Sequence, residues 1–158
     1  MEQKMLSKWL KLILTGGMLG LAVCFAVCPG FGQSILADYP EFSNRYRPWL
    51  IFLWTAGIPC CAALGLGWKI ASNIGADKPF CCENAIYLKW IAWLAAGDAV
   101  FFLAGNVILL LADMSHPGVT LASLLIAFAG GAVSATAATL SYLARKAAVL
   151  QEQNDLTI

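Results

Sequence analysis

Apolar residues in this chain fall into four long runs, without the regular polar stripe of a soluble amphipathic helix. The clearest run extends from Trp90 to Ala112 and carries a single formal charge, Asp98. A helix of about 20 apolar residues crosses the roughly 30 Å hydrocarbon core of a bilayer. The pattern therefore predicts an all-α integral membrane protein, a four-transmembrane-helix bundle with both termini in the cytoplasm.

Polar stretches between the runs set the predicted boundaries. We expect spans at about residues 10–30, 49–69, 90–112 and 120–144, with a cytoplasmic connector at 70–89 and a cytoplasmic tail at 145–158. Residues 1–158 then form a single membrane domain. Pro29-Gly30 is typical of a helix end, and Pro59 predicts a kink inside the second span. The basic N-terminus resembles a signal peptide, but its apolar run is longer than such peptides carry, which favours a retained first span.

The basic residues predict the orientation. One side of a four-span arrangement receives Lys4, Lys8, Lys11, Lys69, Lys78, Lys89, Arg145 and Lys146. Only Arg45 and Arg47 fall on the other side. Because basic loops stay in the cytoplasm, the termini and the 70–89 connector are predicted to face it.

Composition narrows the function classes. The chain is 60% hydrophobic and 12% charged, whereas soluble domains carry about a quarter charged residues. Its net charge of +1 argues against direct nucleic-acid binding, which needs clustered Lys and Arg. No catalytic or phosphate-binding motif is recognisable, so we predict a protein that is not an enzyme and uses no cofactor or metal. Four cysteines, Cys24, Cys28, Cys60 and Cys61, are interpreted as small apolar packing residues, whereas a redox role or metal binding is an alternative considered for the cytoplasmic pair Cys81-Cys82.

One acidic residue inside a predicted span is a candidate for chemistry. An ionised Asp98 without a partner would be unfavourable by several kcal/mol at this depth in the membrane. One interpretation is a midplane ligand, ion or proton site formed by Asp98, Asn106 and the Pro59 bend. The alternative is a structural residue that bonds to Ser134, Thr136 or Thr139 of the fourth span.

Small residues predict where helices approach closely. The first span offers Gly16 and Gly20. The fourth span offers a ladder of Ala127, Gly131, Ala135 and Thr139, flanked by Gly130, Ser134 and Ala138. Close packing of such residues drives helix association in lipid. The ladder is compatible with packing inside one chain or with a homo-oligomer interface, and both alternatives stay open.

Several short patterns along the chain are shared with a known family. They are Tyr39-Pro40-Glu41, Pro59, Lys78-Pro79-Phe80 before a helical 84–89, Pro117-Gly118-Val119, and the ending 153–158, QNDLTI. Together they resemble the bacterial DUF2975 family of small four-span membrane proteins, whose biochemical activity is unknown. The resemblance implies a bacterial inner-membrane location. It also implies a soluble partner, because genes of this family often lie beside a gene for a small helix-turn-helix transcription regulator.

Two hypotheses follow. The first is a membrane regulator that docks the helix-turn-helix protein on a cytoplasmic surface. The residues predicted for that surface are Lys78, Pro79, Phe80, Glu83, Asn84, Asn154, Asp155, Leu156, Thr157 and Ile158. An alternative role for the tail is to fold back and cap the inner mouth of the bundle. The second hypothesis is a small-molecule sensor or carrier with a midplane pocket around Asp98.

Overall fold

A computed structural model describes residues 2–38 and 43–155, which form four helices. They are α1 (Glu2–Asp38), α2 (Ser43–Gly75), α3 (Cys82–Leu111) and α4 (Pro117–Asp155). Each helix is long and apolar enough to cross a membrane. The predicted all-α fold with four membrane-spanning helices is confirmed.

The first helix is longer than the sequence predicted. The prediction that it ends at Pro29-Gly30 is wrong, because α1 continues through Pro29 to Asp38. A proline inside a helix removes one backbone donor, and here packing against α2 offsets that loss. The Tyr46 hydroxyl donates to the Pro29 carbonyl oxygen at 3.1 Å, and a methyl group at Gly32 would overlap the Tyr46 ring. The Tyr39-Pro40-Glu41 pattern lies outside the described residues.

The connection between α3 and α4 is a tight turn. Asp113 adopts a left-handed backbone conformation with φ 54°, just after α3 ends. Pro117 is the first residue of α4, where its missing N–H costs nothing. The His116 Nδ1 accepts a hydrogen bond from the Gly118 amide at 3.1 Å and so caps the new helix. The turn therefore needs only a few residues to reverse the chain.

Helices pack in chain order. Close backbone contacts join α1 with α2, α2 with α3 and α3 with α4, and no other helix pair within residues 2–38 and 43–155. Two serine hydroxyls join α3 and α4: Ser134 donates to the Ala92 carbonyl at 2.8 Å, and Ser141 to the Ala85 carbonyl at 2.6 Å. These bonds fix an antiparallel register, and α1 and α4 form the two edges of the bundle.

Side chains are sorted as expected in lipid rather than in water. The buried hydrophobic residues are small apart from Leu109, namely Ala56, Ala71, Ala85, Ala92, Ala137 and Ala148, and buried Ser7, Asn84, Asn106 and Ser123 lie among them. Large apolar side chains point outward, with Leu111 81% and Phe128 77% exposed. Such an apolar exterior is costly in water but costs nothing against lipid tails. The distribution supports a bilayer environment.

The face of α4 that packs on α3 differs from the predicted ladder. It contains Gly130, Ser134, Ala137 and Ser141, and a methyl group at Gly130 would lie 3.0 Å from the Ala99 Cβ. A methyl group at Gly131 would meet no atom within 4 Å, and Ala135 and Thr139 are also exposed. Packing inside the chain therefore holds for the flanking residues Gly130 and Ser134 but not for the ladder positions beyond Ala127. The positions after it face outward, as do Gly16 and Gly20.

Two adjacent glycines give a matched test of this face. We expect Gly130→Ala to lower the free energy of unfolding by about 1 kcal/mol, because its methyl group pushes α3 and α4 apart. Gly131→Ala fills open space and should instead raise the free energy of unfolding by a few tenths of a kcal/mol, up to about 1, through helix propensity. Denaturant unfolding in detergent micelles measures both. Equal effects of the two substitutions would contradict the assigned packing face.

Candidate functional site

The first turn of α1, the α2–α3 loop and the last turns of α4 lie at the same end of the bundle. They enclose a groove of about 560 Å³ between the start of α1 at Gln3, loop residues 77–81, and the last turns of α4 around Ala148 and Glu152. We call it the terminal groove. It lies at the end for which the basic residues predict a cytoplasmic location. The helices therefore place three distant parts of the sequence on one surface.

Two asparagines hold the α2–α3 loop in place. The Asn73 Nδ2 donates to the Asn84 Oδ1 at 2.8 Å. The Asn84 Nδ2 in turn donates to the Pro79 carbonyl at 3.0 Å and to the Lys78 carbonyl at 3.3 Å. The side chain of Asn84 is only 2% exposed. Because a buried amide must be hydrogen-bonded, these bonds fix the path of the loop.

Backbone bonds reinforce this loop. The Lys78 amide donates to the Asn73 carbonyl at 3.0 Å, and Asp77 turns the chain with φ 59°. The start of α1 is joined to the end of α2 close by, since Ser7 Oγ donates to the Ala71 carbonyl at 2.6 Å. A side chain at Gly75 would collide with that hydroxyl, 2.7 Å from the position of its Cβ. The loop is therefore a fixed surface feature.

The predicted docking residues divide into three groups. Lys78, Pro79 and Phe80 line the terminal groove, and Phe80 is 56% exposed. Glu83 is exposed on the first turn of α3 outside the groove lining, whereas Asn84 is buried and supports the loop from beneath. Of the tail, Asn154 and Asp155 end α4, and Leu156, Thr157 and Ile158 lie outside the described residues.

Asp98 is hydrogen-bonded to α2 and not to α4 in the described part of the chain. Its Oδ2 accepts a weak hydrogen bond from the Cys60 Sγ at 3.5 Å, and its Oδ1 is buried without a partner among the described residues. The predicted bonds to Ser134, Thr136 or Thr139 do not form: Ser134 bonds across to Ala92, and the two threonines bond within α4. The predicted structural role of Asp98, a hydrogen bond to one of these three residues of α4, is therefore wrong. The carboxylate has an oxygen free for a further donor.

The other two predicted ligand residues are only partly near Asp98. Pro59 directly precedes Cys60, so the segment of α2 around Pro59 does face the carboxylate. Asn106 is 2% exposed, and its Nδ2 donates to the Phe102 carbonyl of its own helix at 2.8 Å. No hydrogen bond joins Asn106 to Asp98 in the described part of the chain. A ligand site with all three residues stays a prediction.

Sequence reasoning missed Cys60 and Asn73. A carboxylate inside a span is stabilised by a hydrogen-bond donor from a neighbouring helix. A search of the neighbouring spans for donors, thiols included, could therefore have identified Cys60. Asn73 gave no local signal, because its partner Asn84 lies in the next helix. Within the described residues no group of three His, Cys, Asp or Glu could hold a metal. The absence of a cofactor stays a prediction.

The fold and its outward apolar surface define a four-helix integral membrane protein. Its α2–α3 loop is held by hydrogen bonds at the end of the bundle where α1 begins and α4 ends. The chain belongs to the family described as "Protein of unknown function (DUF2975)", which matches residues 30–158. It is 30% identical over 140 residues to "Uncharacterized membrane protein YoaS" of Bacillus subtilis (strain 168), which covers 87% of this chain and 88% of that protein. No solved structure matches the chain. The resemblance inferred from the sequence is confirmed.

Proposed function

We propose that this chain is a non-enzymatic membrane regulator that docks a small cytoplasmic helix-turn-helix protein in the terminal groove. The observation that carries the proposal is Phe80, an aromatic side chain more than half exposed on a loop whose backbone is fixed from beneath by Asn84. A rigid loop that presents an apolar ring is typical of a protein–protein contact. The identity of the partner rests on the family resemblance.

The charges beside Phe80 favour a peptide-like partner over a lipid or a nucleic acid. The lining carries charges of both signs, from Asp77, Lys78 and Glu152, and two polar amides, Gln3 and Gln151. Mixed charges around one apolar anchor give orientation and specificity to a protein partner. A nucleic acid would instead require a cluster of cations. The last turns of α4, with Ala148, Gln151 and Glu152, form one wall of the groove.

A charge-reversal and ring-removal series tests the docking. Phe80→Ala should weaken binding of the helix-turn-helix protein at least tenfold, because it removes the apolar anchor, and Lys78→Glu should weaken it several-fold. Binding is measured by microscale thermophoresis with the full chain in nanodiscs. Lys8→Glu is the matched control, since Lys8 is exposed on α1 and does not line the groove.

Deletion of residues 154–158 separates the two roles considered for the tail. If the tail contributes to docking, as we propose, the deletion weakens binding. If it folds back and competes for the groove, the deletion strengthens binding. Unchanged binding in Phe80→Ala and in the deletion together would refute docking at the terminal groove.

A small-molecule sensor or carrier is the second candidate function. The buried Asp98 Oδ1 without a partner supports it, because such an oxygen can accept a donor from a polar ligand, an ion or water. The segment of α2 around Pro59, beside Asp98, would provide the site, with Cys60 as an additional contact. The two functions are compatible, since a ligand that favours one helix arrangement can alter partner binding.

A further inference from the structure

A second groove lies on the outer face of α3 and α4, near the same end of the bundle. It encloses about 620 Å³ between the first turns of α3 and the last turns of α4. Its lining includes Lys89 and Arg145 together with Ile86, Trp90 and Trp93. We call it the basic groove. It is separate from the terminal groove, and no residue lines both.

The charge of this groove is positive and unbalanced. Lys89 and Arg145 are exposed, and neither takes part in an ion pair in the described part of the chain. No Asp or Glu lines the groove. Two uncompensated cations beside apolar surface favour an anionic ligand that also has an apolar part.

The register of the helices brings the two cations together. The serine bonds from Ser134 to Ala92 and from Ser141 to Ala85 place Arg145 about level with Cys81. Lys89 lies eight residues, or about 12 Å, further along α3. Helical side chains lean toward the N-terminus of their own helix, so in this antiparallel pair Lys89 and Arg145 lean toward each other. Both side chains therefore extend toward the same level of the groove, where one anion can interact with the two charges.

The apolar part of the groove lies where lipid is expected. Ile86, Trp90 and Trp93 are 53%, 59% and 67% exposed and follow one another along the start of α3. Tryptophan is enriched at the level of the lipid headgroups, and lysine and arginine mark the cytoplasmic boundary of a span. The cations thus lie at headgroup depth, and the tryptophans extend from them toward the acyl chains.

We propose that the basic groove binds an anionic phospholipid. Its phosphate lies between Lys89 and Arg145, and one acyl chain lies along Ile86, Trp90 and Trp93. A soluble anion would satisfy the cations but leave the aromatic surface unused. A zwitterionic lipid would place its own cation beside Lys89 and Arg145, which like-charge repulsion disfavours.

Tryptophan quenching by brominated lipid tests this site directly. The full chain is reconstituted in nanodiscs that contain equal amounts of phosphatidylglycerol and phosphatidylcholine, with bromine on the acyl chains of one lipid or the other. Subtracting the signal of Trp90→Phe/Trp93→Phe isolates these two tryptophans from the six in the chain. We expect brominated phosphatidylglycerol to quench them more strongly than brominated phosphatidylcholine.

Removal of the two groove charges then tests whether they cause the preference for phosphatidylglycerol. Lys89→Gln/Arg145→Gln should lower the preference for phosphatidylglycerol by about 25-fold, since one basic residue near a membrane surface contributes roughly fivefold. Arg145→Lys should retain it. The matched control, Lys8→Gln/Lys146→Gln, removes two exposed charges that do not line the groove and should leave the preference unchanged. Circular dichroism checks that each variant keeps its helices.

Three results would overturn the proposal. One is equal quenching by the two brominated lipids in the unaltered chain. Another is an equal loss of preference in the matched control, which would indicate attraction to the surface as a whole. The third is loss of the preference in inorganic phosphate but not in sodium chloride of the same ionic strength, which would make the ligand free phosphate rather than lipid.

Discussion

Asn84→Leu is expected to lower the free energy of unfolding by about 3 kcal/mol, because one substitution leaves several part-buried polar groups without partners. Asn84 accepts from Asn73 and donates to the carbonyls of Lys78 and Pro79. Leucine has the same branching and number of side-chain heavy atoms but no polar atoms, so it removes every hydrogen bond of this side chain, and its larger volume adds a packing cost. Denaturant unfolding in detergent measures the change.

Asn73→Leu is the matched control for this prediction. It removes only the amide that donates to Asn84 and to the Cys81 Sγ, so its cost should be about 1–2 kcal/mol. If Asn84→Leu unfolds at the same denaturant concentration as the unaltered chain, the loop is not held by this network. The structural support for a rigid Phe80 would then be lost.

The reactivity of the Cys81 thiol gives a second measure of whether the α2–α3 loop is ordered. In a Cys82→Ser background, a water-soluble maleimide should modify Cys81 faster after Asn84→Leu, because the released loop exposes a thiol that is half-buried in the folded chain. Cys81→Ser in the same background gives the rate from the remaining cysteines. An unchanged rate alongside an unchanged stability would remove any role for Asn84 in the loop.

Hydropathy alone was sufficient to predict the four helices, because a bilayer demands long apolar segments whatever their neighbours are. Helix ends were harder. Pro29 suggested that α1 ends there, yet α1 continues beyond it, where Tyr46 contacts Pro29 and Gly32. A contact with another helix overrides a local breaker, and no local pattern in the sequence shows that contact.

The packing face of α4 could not be chosen from the sequence either. Small residues occupy two adjacent rows, one containing Gly131, Ala135 and Thr139 and the other Gly130, Ser134 and Ala137. Both rows allow a close approach, so composition does not discriminate between them. The serine bonds to α3 select the second row. This leaves the first row open to a second copy of the chain, as one of the sequence alternatives proposed.

The candidate site was also predictable only in part. Lys78, Pro79 and Phe80 were predicted as a surface because they follow a turn in a predicted cytoplasmic connector. Asn84 was predicted beside them, but its buried position depends on Asn73, eleven residues earlier. The approach of Cys60 to Asp98 spans 38 residues and depends on how α2 and α3 pack. Interactions between helices are what a hydropathy pattern leaves undetermined.

Asp98→Leu is expected to raise the free energy of unfolding by about 2 kcal/mol, because it removes a carboxylate from a membrane span. The one side-chain hydrogen bond that the structure gives Asp98 is from a thiol, which is a weak donor, and its Oδ1 has no partner among the described residues. Cys60→Ala should therefore change the free energy of unfolding by less than about 1 kcal/mol. Steric-trap or denaturant unfolding in a bilayer mimetic measures both variants.

A stabilising Asp98→Leu would favour the sensor or carrier function, since residues that serve a ligand commonly lower stability. The same variant, and Asp98→Asn, should then fail to support the ligand-dependent change in partner binding while the helices stay intact. If Asp98→Leu instead destabilises the chain by as much as Asn84→Leu, the carboxylate holds α2 against α3. Its unpartnered oxygen would then no longer favour a midplane site, and the terminal groove would remain as the better-supported functional surface.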